Sequence, residues 1–168
     1  TLARTRLYGN QLEGDFPLEI WGLTNLEELA VGGNNFSGSI PPEIGNLINL
    51  RWLDLGGNNF TGSLPDEIGN LINLTSLNFP ADWESDDRLS GEIPSTIGNL
   101  VNLTGLYLDG HYLSGEVPSS IGNLSNLGGL NLSNNELGGE LPEDFANLSS
   151  LIHLELDGND FEGAFPDV

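Results

Sequence analysis

Twenty-five carboxylates, two histidines, four arginines, no lysine and no cysteine make up the reactive inventory of this 168-residue sequence. Chemistry needs such groups to converge, so their spacing matters more than their number. Oxygen donors alternate in one stretch, Asp82-Trp83-Glu84-Ser85-Asp86-Asp87-Arg88. Asp82, Glu84 and Asp86 are spaced like the first ligands of a calcium loop. The glycine at the sixth position and the bidentate glutamate at the twelfth are missing, so calcium is the lesser reading and the sequence commits to no metal site. A protein contact through Trp83 is a stronger reading, and a neutral insertion is the simplest.

The remaining candidates for catalysis dissolve on inspection. No spacing brings a Ser/His/Asp or Cys/His set together, and the paired carboxylates that exist follow from their number. The glycines follow a repeating turn and form no phosphate-cradling loop. The sequence therefore names no catalytic residue and no cofactor, and a non-enzyme is expected. His111 stands where neighbouring repeats carry Asn, and reads as a hydrogen-bonding substitute for it.

Formal net charge is −21. Phosphate recognition needs a basic surface, so nucleic acid is excluded as a partner. Anionic lipid would be repelled, and no run of about 18 apolar residues occurs, so no direct membrane contact is expected of this segment. A cationic partner suits the charge, and so does solubility alone. Without cysteine there is no disulfide or thiolate metal site.

The elements that must position any site are set by a repeat. Residues 27–50 and 51–74 nearly superimpose, and the same 24-residue frame fits 3–26, 104–127, 128–151 and a partial 152–168. The segment 75–103 is five residues longer, with its insertion near 82–88. The consensus is L-x-L-x-x-N-x-L-x-G-x-I-P-x-x-I-G-x-L-x-x-L. Leu53-x-Leu55 marks a short strand with one face inward. The recurring Asn (Asn10, Asn34, Asn58, Asn135, Asn159) ends that strand, and its amide is suited to bond the turns of adjacent coils as a ladder. Gly38 to Pro41 turns the chain along the other side, where proline blocks regular helix. Ile44 to Leu47 returns it through a short helical turn. No coil can bury its leucines alone, so stability must come from neighbours. The chain reads as one domain of stacked coils. Residue 3 already opens a repeat and Val168 stops within one, so a longer parent chain is expected, with Leu2, Leu7, Leu154 and Leu156 near bare edges.

The segment L-x-G-x-I-P after the Asn resembles the plant-type leucine-rich-repeat class, and the resemblance covers the whole chain. It is similar to ectodomains of receptor-like kinases and to polygalacturonase-inhibiting proteins. The resemblance implies an α/β solenoid: a right-handed superhelix with a parallel β-sheet on its concave face, and short helical or 3-10 turns and a minor sheet on the convex side. It also implies an extracellular or cell-surface recognition module that binds a protein or peptide through the concave face. A polysaccharide- or ice-binding surface and an assembly solenoid are the alternatives. The column Ser37, Thr61, Ser90, Ser114 motivates the first, and the bare ends the second.

Outward positions of the seven strands form three columns. They run Arg4, Glu28, Trp52, Ser76, Gly105, Gly129, His153; then Arg6, Ala30, Asp54, Asn78, Tyr107, Asn131, Glu155; then Tyr8, Gly32, Gly56, Pro80, Asp109, Ser133, Asp157. Exposed aromatics on a sheet are candidate anchors. Trp52 and Tyr107, with Asp54 and Asp109 beside them and Asn78 and Asn131 between, form the expected ligand surface. His153, Glu155 and Asp157 add an acidic patch, for which a solvated charged face is the simpler reading. Sequons place glycosylation candidates at Asn35, Asn59, Asn73, Asn102, Asn123 and Asn147. The seventh, Asn131, lies on the ligand columns and is expected to be unused.

Overall fold

The computed structural model of the protein describes residues 2–166, so the end of the last partial repeat at Val168 lies outside them. Fourteen short strands alternate along the described chain. They are β1 (Arg4–Arg6), β2 (Glu13–Asp15), β3 (Glu28–Ala30), β4 (Asn35–Ser39), β5 (Trp52–Asp54), β6 (Asn59–Thr61) and β7 (Ser76–Asn78). After the insertion come β8 (Ser90–Gly91), β9 (Gly105–Tyr107), β10 (Tyr112–Gly115), β11 (Gly129–Asn131), β12 (Glu136–Glu140), β13 (His153–Glu155) and β14 (Asp160–Glu162).

The odd strands form one parallel seven-stranded sheet in sequence order. Leu29, Leu53, Leu77, Leu106 and Leu130 stand opposite one another across it. All five are buried. This is the α/β solenoid that the repeat implied, because each coil supplies one strand to a shared sheet and one set of leucines to a shared core.

The expected minor sheet is present, in two parts. Among the described residues these are β2-β4-β6 and β8-β10-β12-β14. A single isolated bridge, Gly62 to Leu89, joins them across the insertion. Their register also shears. Ser37 lies beside Asn59 and Ser90 beside Tyr112, a step of 22 residues instead of 24. A shift of two keeps the same face outward. The column Ser37, Thr61, Ser90, Ser114 is therefore not a row of opposed side chains, and Ser37 hydrogen-bonds Asp15 instead.

Six prolines (Pro17, Pro41, Pro65, Pro94, Pro118, Pro142) sit in extended backbone immediately before six 3-10 turns, such as Pro42–Asn46 and Ser95–Asn99. Each turn buries one large apolar side chain, Trp21, Ile44, Ile68, Ile97, Ile121 or Phe145, against the core. At the edges, Leu2 and Leu7 are exposed, while Leu154 and Leu156 remain partly buried against the core.

The asparagine ladder forms as expected. Asn58 Nδ2 donates to Leu55 O at 3.0 Å within its own coil and to Val31 O at 3.1 Å in the coil before. Its Oδ1 accepts from Phe36 N at 3.0 Å. Asn34, Asn135 and Asn159 repeat the pattern. A second row escaped the sequence reading: Asn49, Asn73, Asn102 and Asn126 each donate to a carbonyl of the preceding coil. Its signal was present as Leu-x-Asn-Leu in successive repeats, read there only for its leucines.

Candidate ligand-binding face

The outward columns share one sheet face, but their members stand differently. Trp52 is 46% exposed and Tyr107 is 36% exposed. Trp52 projects beside the buried Ser76 of the next strand. Tyr107 lies flat. A Cβ built on Gly105 would meet its ring at 2.8 Å, and one on Gly129 would meet its hydroxyl at 2.7 Å. The two glycines, opposite each other on β9 and β11, leave the space the ring occupies. A side chain at either would lift it.

Asp54 uses a similar vacancy. A Cβ on Gly32 would fall 2.6 Å from its Oδ1. That oxygen accepts from Gly56 N at 3.2 Å, closing a tight turn at the strand end. Half-burial pushes the Asp54 carboxyl above its ordinary range, against the bonds from Gly56 and Asn78. Asp109 is shifted the same way, mainly by burial and further by the negative charge of Glu155. Desolvation disfavours the charged form in both cases.

The two ends of the face differ in charge balance. At the N-terminal end Arg6 forks onto Glu28, with Nε to Oε1 at 2.6 Å and Nη2 to Oε2 at 2.9 Å. The pair holds the Glu28 carboxyl below its usual range and raises Arg6, through that hydrogen bond first. Arg4 faces Glu27 at 3.7 Å. At the C-terminal end, among the described residues, no arginine pairs with Asp109, Glu155 or Asp157. Glu155 accepts from Asn131 Nδ2 at 2.9 Å, and Asn131 Oδ1 accepts from Ser133 N and Oγ. His153, Glu155 and Asp157 are all exposed.

The insertion folds onto the rim of this face. Trp83 is 60% exposed, and its ring lies 3.3 Å from where a Cβ of Gly110 would be. Gly110 directly follows Asp109. The Arg88 guanidinium stacks 5.8 Å from the Trp83 ring and 5.1 Å from that of Tyr112. Tyr112 was not singled out by sequence, because its proximity to Arg88 depends on how the outer strands pack. The calcium reading is not supported. Among the described residues no three histidines or carboxylates gather around a common point. Asp82 instead caps its own loop by accepting from Glu84 N at 2.9 Å, while Glu84 and Asp86 point to solvent.

The sequons divide. Asn73 and Asn102 commit their amides to the second ladder, and Asn59 is half-buried. Asn35, Asn123 and Asn147 are exposed.

Against known proteins, one leucine-rich-repeat family model matches residues 101–161 and a second matches 25–47 and 49–71, together more than half of the chain. The ectodomain of the Arabidopsis thaliana receptor kinase GASSHO1/SCHENGEN3, solved with CASPARIAN STRIP INTEGRITY FACTOR 2, superposes with a TM-score of 0.93 at 39% identity. That match covers 98% of this chain and 19% of the other. The leucine-rich-repeat ectodomain of the Arabidopsis thaliana receptor kinase SOBIR1 gives a TM-score of 0.72 at 31% identity, over 80% of this chain and 72% of that one. A leucine-rich-repeat protein of Leptospira interrogans gives 0.80 at 35% identity, over 96% of this chain and 38% of its own. No curated protein matches the sequence. The chain belongs to the leucine-rich-repeat family, in its plant-type class, and it spans about a fifth of the GASSHO1 ectodomain.

Proposed function

We propose that this chain is a non-catalytic, extracellular or cell-surface recognition module that binds an extended peptide along the seven-stranded face. One observation carries the reading. Trp52 and Tyr107 hold apolar surface in solvent in the middle of the face, with Tyr107 seated on two glycines, while the third exposed aromatic of the columns, Tyr8, stands at the N-terminal edge. Exposed, rigid aromatics on such a surface are typical binding anchors. The ligand-bound plant ectodomains of the same fold support the peptide class. Asp109, Glu155 and Asp157, uncompensated by arginine, favour a basic residue in the part of the ligand that lies over β9 to β13. Trp83 extends the surface over the rim beside Asp109.

Phage selection from a library of random 12-residue peptides tests this directly. Enriched peptides should carry Lys or Arg. Their affinity should fall about a thousandfold in Trp52→Ala/Tyr107→Ala, as expected for the loss of two anchors worth about 2 kcal/mol each. Binders that ignore the double substitution would sink the sheet-face mode. Glycans, if carried, belong at Asn35, Asn123 and Asn147, away from the anchors, and intact mass before and after deglycosylation of each Asn→Gln variant reads this.

A further inference from the structure

The ladder contains one member that can titrate. Asn34, Asn58, Asn135 and Asn159 each offer an oxygen to a backbone N–H and an N–H to backbone carbonyls. His111 does both with a ring. Its Nδ1 accepts from Leu89 N at 3.2 Å, and its Nε2 lies 2.7 Å from Phe79 O. A carbonyl accepts only, so the proton must sit on Nε2, and Nδ1 must keep its lone pair. Protonation would place a second hydrogen on Nδ1, facing the Leu89 N–H. Donor would then meet donor. The ring is 3% exposed and packs edge-on against Phe79 at 5.4 Å, leaving little access for water to accept either hydrogen.

Leu89 is the point where the insertion rejoins the stack. Among the described residues it makes the lone bridge between the two outer sheets, and its carbonyl accepts from Tyr112 N at 2.8 Å. Arg88, beside it, is the cation stacked with Trp83 and Tyr112. The rung at His111 therefore holds the C-terminal end of the loop that carries Trp83.

We propose that His111 is an acid-sensitive latch on this loop: its protonation frees Leu89 and loosens the insertion, so that the Trp83 rim is ordered at neutral pH and released in acid. The consequence for ligand rests on the peptide-binding reading above. The release itself does not, because it is measured on the protein alone. The insertion carries Asp82, Glu84, Asp86, Asp87 and Arg88, and Asp109 stands two residues before His111 beyond β9, with the neutral Asn135 in the next coil. Arg88 is the one whose charge acts on the ring, and it opposes protonation. Burial is the larger cause and acts in the same direction, outweighing the hydrogen bond to Phe79 O, so the imidazole is pushed down to about 4. Once the latch opens it titrates near 6.5, so each proton bound favours the open loop.

Amide hydrogen exchange read by NMR, corrected for intrinsic rates, tests the latch in the free protein. Protection at Leu89 should fall at least about tenfold from pH 6.5 to pH 4. Phe36 and Leu113, whose amides bond the non-titrating Asn58 and Asn135, should keep theirs. In His111→Asn, which preserves a donor and an acceptor without titrating, Leu89 should be insensitive to pH. Unchanged protection at Leu89, an equal loss at Phe36 and Leu113, or an equal loss in His111→Asn would each overturn the proposal. The first two outcomes need only the native protein, so a variant that folds poorly does not blunt the test.

Discussion

The seven-stranded sheet passes without a break through the repeat that carries five extra residues, whereas the outer sheet is severed there. The inner strand Ser76–Asn78 pairs in full register with both neighbours. The outer strand of the same coil, Ser90–Gly91, pairs with Tyr112–Gly115 on one side, and on the other only the adjoining Leu89 makes a bridge among the described residues. Both see the same chain, so the difference lies in where the extra residues fall. They follow the inner strand and occupy the stretch where the ladder asparagine belongs. The inner sheet is held by a buried leucine on each of its five central strands, which fix its register through packing. The outer strands carry fewer buried side chains and rely on the ladder to meet. The lesson is that this solenoid tolerates insertion on the side where hydrogen bonds, and not core packing, set the alignment.

Removing a regular rung should break the contrast most severely. Asn58→Ala leaves Phe36 N without its partner and removes both donated bonds in a buried site. A loss of about 3 kcal/mol is expected in urea unfolding. Asn73→Ala, in the exposed second row, should lose less than about 1 kcal/mol. Equal losses would mean that burial does not set the value of a rung.

The irregular rung comes next. His111 has its folded-state pKa lowered from 6.5 to about 4, so the neutral form is the one the fold holds. Its contribution is fully present above pH 6.5 and is lost as pH falls toward 4. At pH 4 that loss approaches about 3 kcal/mol. Stability against pH for the native protein and His111→Asn should therefore diverge between those values, the variant being the less acid-sensitive. Parallel curves would assign the acid sensitivity to the carboxylates instead.

A smaller effect follows from repairing the severed sheet. Deleting Trp83 to Asp87 and making Asp82→Asn restores the 24-residue spacing and a ladder asparagine. The outer sheets should join, with a gain of up to about 1 kcal/mol from a new rung and a shorter loop. Protection of the amides of residues 59–62 against exchange would report the joining, and the Trp83 rim would be lost with it. Asp109→Asn should do least to the fold. Burial and Glu155 already disfavour its charge, so thermal stability at pH 7 should rise by less than about 1 kcal/mol, while binding of basic peptides weakens. A fall in stability would mean that the carboxylate is held by interactions not yet counted.

The repeat, the strands, the ladder and the tilt toward binding were legible in the sequence, because each follows from a residue type recurring at a fixed interval. Leu at every other strand position must face inward, and Asn at one position per coil must satisfy turn backbone. The candidate columns were legible too, since strand alternation dictates which positions face out. What each column residue does there was not. Gly105 and Gly129 read as gaps, and only their opposition across two strands makes them the seat of Tyr107. The alternating carboxylates of the insertion read as a partial metal loop, and the turn that Asp82 caps in its own chain separates them.

The sequence by itself determined the solenoid, its period, its single core and which strand positions face outward, because periodic patterns carry their geometry with them. The tertiary structure alone decided the shear of the outer sheets, their division at Leu89, the stacking of Arg88 between Trp83 and Tyr112, and the two hydrogen bonds that leave His111 a lone pair but no room for a second proton. Those depend on how one coil settles against the next, and contacts between coils are not written in the spacing within either.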